Sequence, residues 1–367
     1  MKMTKSKFGI GKAALFLLPL LAGLSGCREM FDLPEEKDYL GKNLNYSDMV
    51  LEPILGRTTV MGGFNADGST MPLTFEIVNA RYGDGRPVTD LFQVRPTWVW
   101  TAAYDGLETS LEEINAKRKL EDRPLFEIRP SGEFVLWGSS SNELIEPRAA
   151  DSSRLTQEIR YFDVKISNTG GDTIIRDFQI IPWRERPYEP SNDMNYYTGE
   201  VARDPNDPRN PFKRDYILPF MQGDIIGAQS NRRFVNNEQT KDLVAYIRPF
   251  EGGNGNKLRF RFIGPDSANI NPALFNETKW DRLVHGFNME MTEDYVQYDV
   301  AYPIPLVNIQ THYTQGNSAH VEFIYSRGAF GGGRSSGAFG LNFRIFKEGD
   351  WEIVFHFRNE LPKFEDE

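Results

Sequence analysis

Lys257-Leu258-Arg259-Phe260-Arg261-Phe262 decides the fold class. Leu258, Phe260 and Phe262 fall on one side of an extended chain, and Lys257, Arg259 and Arg261 on the other. This is the period of a half-buried strand. Trp351 to Arg358 repeats it, with Trp351, Ile353, Phe355 and Phe357 against Glu352, Val354, His356 and Arg358. Tyr295 to Tyr302, His320 to Tyr325 and Leu341 to Phe346 continue the pattern, joined by long loops. Residues 191–367 therefore read as a β-sandwich of the jelly-roll or carbohydrate-binding-module kind, the expected ligand-binding domain.

The same reading runs upstream. Leu73 to Val78 alternates after the turn signal Asn65-Ala66-Asp67-Gly68. Short strands are expected at Thr97 to Trp100, Leu125 to Ile128 and Glu133 to Trp137. Tyr161 to Ile166 alternates, and Asn168 to Asp172 turns it into Ile174 to Ile181 as a hairpin. One helix is expected near 109–120. Thr109 and Glu112 have capping-box spacing, Lys117 to Lys119 load the C-terminal end, and Asp122-Arg123-Pro124 stops it. Residues 39–190 thus read as an immunoglobulin-like sandwich with one inserted helix, and the chain as mainly β with two antiparallel sandwich domains. Pro187, Pro190, Pro205, Pro208 and Pro211 mark the break between them.

The N-terminus carries a different signal. Lys2, Lys5, Lys7 and Lys12 precede an apolar run, Ala13 to Leu21, too short to span a membrane stably. Leu24-Ser25-Gly26-Cys27 follows and holds the single cysteine of 367 residues. It resembles the lipobox of bacterial lipoproteins, so residues 1–26 read as a signal peptide and Cys27 as the acylated first residue of the mature chain. More than one acyl chain gives stable anchoring in the outer-membrane lipid. Glu29, Asp32, Glu35, Glu36 and Asp38 resemble the acidic export signals of Gram-negative lipoproteins sent to the cell exterior, an ordinary solvated tether being the alternative. Residues 27–38 form an acidic tether. Removing the four lysines of the leader takes the formal charge from −10 to −14. That balance argues against a nucleic-acid partner.

Candidate chemistry is sparse. Gly333-Arg334-Ser335-Ser336-Gly337 matches G-x-S-x-G, with Asp350 and His356 following, but the serine lies in a glycine-rich loop between strands. A nucleophile elbow needs strand, sharp turn and helix. His285, His312, His320 and His356 lack metal-ligand spacing. Asp204, Asn206 and Asp207 offer hard oxygens for Ca²⁺, without the spacing or distal Glu of an EF-hand. A turn-rich linker is the reading kept, Ca²⁺ the alternative, and otherwise no cofactor, metal or catalytic residue is expected. The aromatics outside clean alternation remain: Trp183, Tyr188, Tyr196 and Tyr197 beside the proline-rich break, with Asn192, Asp193 and Asn195 near, and Trp280 in a loop. Sugar rings stack on such faces, and amides and carboxylates take the hydroxyls. The alternative is that these rings pack the domain joint.

The lipobox, the acidic tether, Leu33-Pro34-Glu35-Glu36-Lys37-Asp38-Tyr39-Leu40, Glu52-Pro53-Ile54-Leu55-Gly56-Arg57-Thr58-Thr59 and Pro124-Leu125-Phe126-Glu127-Ile128-Arg129-Pro130 resemble a family of surface lipoproteins. It is an uncharacterised Gram-negative family associated with SusC/SusD-type polysaccharide uptake systems. The resemblance implies a non-enzymatic surface protein that binds a glycan or assists its transporter, and brings no catalytic residues. A structural or assembly partner, or an adhesin component without a sugar site, is the rival expectation. A hydrolase ranks third.

Overall fold

The structure, a computed structural model, describes residues 38–148, 159–191, 193–203, 213–237 and 239–366. Among these residues it is mainly β, with two sandwich cores and one short α-helix. In the N-terminal core, the sheet Val50–Leu51, Gly171–Ile180, Arg160–Asn168, Thr74–Tyr82 lies against Thr59–Met61, Phe134–Leu136 and Phe126–Ile128. Phe162 and Phe178 stack at 5.2 Å, and Phe134 from the opposite sheet meets both edge-on. The hairpin after Arg160–Asn168 closes through Thr169-Gly170, with Asn168 opposite Gly171.

The chain passes from one core to the other between Ile180 and Tyr188. The C-terminal core packs two larger sheets. One runs Leu243–Pro249, Trp351–Phe357, Lys257–Ile263, Tyr295–Val300, Gly286–Met291. Its two central strands, Lys257–Ile263 and Trp351–Phe357, are parallel, so the sheet is not wholly antiparallel. The other runs Tyr188–Glu189, Gly333–Ile345, Ser318–Ala329, Thr314–Gln315, with Phe220–Gly223 also pairing along Gly333–Ile345. Leu258, Phe260 and Phe262 all face inward, and Phe262 meets Phe323 of the facing sheet at 4.8 Å.

Three expectations need correction. The stretch Gly328 to Gly340 is no loop. It belongs to a long hairpin paired from Ala319 with Phe343 to Ala329 with Gly333. Gly331 and Gly332 make its turn with positive φ, and Gly340 serves close approach: a Cβ there would lie 2.6 Å from the ring of Phe220. The helix is only Leu111–Ala116, and Ser110, not Thr109, caps it by accepting from the N–H of Glu113. Glu113 in turn accepts from Thr109 N. Finally, the residues read as the helix tail are a strand, Arg118–Pro124, paired with Val94–Trp100. This two-stranded arm leaves the N-terminal core, and its helix docks on the other one, with Ile114 buried beside Ala301 and Leu306.

Candidate functional site

Trp183 makes the last backbone-to-backbone tie to the N-terminal sandwich. Its N–H donates to Pro53 O and its carbonyl accepts from Leu55 N. Pro182, Pro187 and Pro190 then prevent a continuous ladder. The following loop is shaped by Asn195, whose Oδ1 accepts from Tyr197 N at 2.9 Å and Thr198 N at 3.3 Å. Arg184 Nε donates to Tyr197 O at 3.1 Å and fixes the loop's height over the joint. The result sets the Tyr197 ring 5.4 Å from that of Trp183, tilted by 52°. Tyr197 is 43% exposed.

Guanidinium groups occupy neighbouring faces. Arg148 lies 4.7 Å over the Trp183 ring and is held by Glu52 at 2.8 Å. Arg186 lies 3.5 Å over Tyr196. Arg57 and Arg344 both sit over Phe346, at 3.7 and 4.8 Å. Arg57 pairs with Glu189 at 2.8 Å, Arg186 reaches it only at 4.0 Å, and Arg344 stands opposite Glu189 on the paired strand. Burial holds Arg57 and Arg344 below the ordinary arginine range, against the attraction of Glu189. Arg57 Nε and Nη2, Arg186 Nε and Arg344 Nε are buried without a hydrogen-bond partner among the described residues.

The other two aromatics named from sequence go elsewhere. Tyr188 is buried in the C-terminal core, and its Oη donates to Asp193 at 2.7 Å. Burial pushes the Asp193 carboxyl up. Trp280 packs half-buried on Phe323 at 5.6 Å and Phe262 at 6.3 Å, and its carbonyl accepts from the Tyr298 hydroxyl. The structure thus gathers Trp183, Tyr196 and Tyr197, and keeps Tyr188 and Trp280 as packing rings. Cys27, Asn192, Asp204, Asn206 and Asp207 lie outside the described residues. Ser335 stands in a strand opposite Arg327, Asp350 accepts from Gly255 N and Lys257 N, and His356 faces Tyr246. No group of three His, Cys, Asp or Glu among the described residues could hold a metal ion.

A second concavity had no signal in the sequence. Tyr104, His285, Tyr313, Pro303, Ile304 and Leu306 line a small concavity of about 30 Å³. His285 Nε2 donates to the carbonyl of Glu108 at 2.8 Å, so Nδ1 accepts from the Tyr104 hydroxyl at 2.5 Å. Tyr313 stacks on the imidazole at 4.8 Å. Its walls are otherwise apolar, and its polar groups satisfy one another, so it reads as the seat of the arm.

Residues 64–366 match a family described as a domain of unknown function (DUF5007). The chain belongs to that family. No curated protein and no solved structure matches it. The matched span of the DUF5007 chain takes in Trp183, Tyr196, Tyr197, Arg148, Arg186 and Arg344, the arm and the whole C-terminal core, while Arg57 and Glu52 precede it.

Proposed function

We propose that the protein is an outer-membrane lipoprotein, anchored through Cys27 and facing the cell exterior. It acts as a non-catalytic surface glycan-binding or accessory protein of a nutrient uptake system, beside a SusC/SusD-type transporter. The leader and Leu24-Ser25-Gly26-Cys27 support the anchor. The observation that supports glycan capture is the tilted pair Trp183 and Tyr197, with Tyr196 on the same loop. Two rings at such an angle offer a concave apolar seat for a sugar face, and nearby guanidinium groups can donate to hydroxyls. The test is a glycan array probed with the mature protein beside Trp183→Ala/Tyr197→Ala. Retention of some polysaccharide by the parent, lost in the double variant at an unchanged melting temperature, supports the reading.

The assembly-partner reading draws on the arm. Val94 and Leu120 lie on one face of its ribbon, 55% and 56% exposed. An array empty for the parent, with Leu120→Glu abolishing co-purification of a membrane complex, would favour it.

A further inference from the structure

We infer that the joint takes an acidic glycan, its sugar ring on Trp183 and Tyr197 and its carboxylate or sulfate group against Arg186 and Arg344. The inference rests on the glycan-binding reading above and names its substrate class.

The charge balance carries it. Arg57, Arg186 and Arg344 converge on Glu189, the one carboxylate they share among the described residues. Among the described residues, three cations facing one anion leave two positive charges without a paired carboxylate, in a chain whose formal charge is −10. These groups are not dispersed in solvent. The side chains of Arg57 and Arg186 are 12% and 16% exposed, and guanidinium nitrogens of all three are buried unpartnered. A buried cation without its counter-charge is costly, and an incoming anion relieves that cost. Guanidinium groups suit carboxylate and sulfate because their planar forks match two oxygens at once. Arg57 is already committed, donating Nη1 to Glu189 and stacking on Phe346. Arg186 and Arg344 have the weaker ties to carboxylates: Arg186 stands 4.0 Å from Glu189, and among the described residues the Arg344 side chain donates only to Asn308. Arg186 also lies over Tyr196, one residue from the exposed ring of Tyr197. Tyr196 and Tyr197 are consecutive on one loop, so the acid group and the sugar ring fall to the same segment.

Affinity electrophoresis of the purified full chain tests this, with polygalacturonate, alginate and chondroitin sulfate as acidic polymers and dextran, starch and xyloglucan as neutral ones. Inorganic sulfate is the free-anion control, and melting temperature reports folding of each variant. The expected result is retardation by at least one acidic polymer, weakened by added salt and by about tenfold in Arg186→Gln and in Arg344→Gln. Trp183→Ala/Tyr197→Ala should weaken it too. Retention of neutral polymers alone, lost in the aromatic variant and indifferent to both arginines, overturns the acidic class while leaving glycan capture standing. Acidic retention unchanged in both arginine variants also overturns it. Retention of no polymer at all, with sulfate raising the melting temperature only when both arginines are present, overturns both readings and leaves a free-anion site.

Discussion

Asp242 shows how much one carboxylate does in this fold. It is fully buried and accepts from Arg232 Nη1 and Nη2 at 2.8 and 2.7 Å, from Val235 N and from Asn359 Nδ2. Burial alone would raise its pKa, but these donors outweigh burial and hold the carboxyl below the ordinary range. A carboxyl lowered on folding stabilises above its unfolded pKa of about 4 and loses that contribution as pH falls through the folded value. Asp242→Asn should therefore cost about 3 kcal/mol at pH 7, and the gap to the parent should narrow below about pH 4. Denaturant melts at both pH values measure this, and a pH-independent gap would contradict it. Trp280→Ala carries the opposite expectation from a binding platform. The ring seals Phe262 and Phe323, so its loss should cost about 3 kcal/mol of stability and leave glycan retention unchanged.

At the scale of elements, the arm ties the two halves at a place apart from the Arg57–Glu189 pair. Arg118 Nη1 donates to Tyr302 O at 2.7 Å, Trp98 Nε1 to Glu348 at 3.1 Å, and His285 bridges Tyr104 and Glu108. His285→Ala leaves the Tyr104 hydroxyl and the Glu108 carbonyl without that partner, a local cost of about 1–3 kcal/mol. Amide hydrogen exchange should speed up over 104–117 and stay slow in Trp351–Phe357, deep in the core. Uniform acceleration would show that the arm is not a separate unit. Sequence periodicity makes the central strands legible because Leu258, Phe260 and Phe262 face one core and their charged neighbours do not. It misses Arg118–Pro124, whose charges stay near the helix and whose Arg118 turns inward through Trp98 rather than through apolarity. The glycine-rich hairpin is missed for a related reason: Gly340 makes room for Phe220 and Gly337 for Ile225 and Tyr325, which a turn reading of glycine does not register. At the joint, the aromatic loop is legible from its prolines. Its arginines are not, because Arg57, Arg148, Arg186 and Arg344 lie far apart in the chain and only the fold brings them together.

On the scale of the whole molecule, stability rests on two separate aromatic cores and on no internal disulfide, since Cys27 has no second cysteine within these 367 residues. The melting temperature should not move with dithiothreitol at fixed oligomeric state, and a large shift would contradict this. With the acyl anchor proposed on Cys27, Cys27→Ala should lose acyl labelling and release the protein from membranes. Membrane retention of that variant would refute the anchor. The proposed function places capture where the two cores meet, so the most direct measurement is the hydrogen-exchange footprint of the full chain with and without each polysaccharide of the panel. The account predicts new protection confined to 183–201 and to the neighbouring residues 344–346. Protection elsewhere, or none with any polymer, would contradict it.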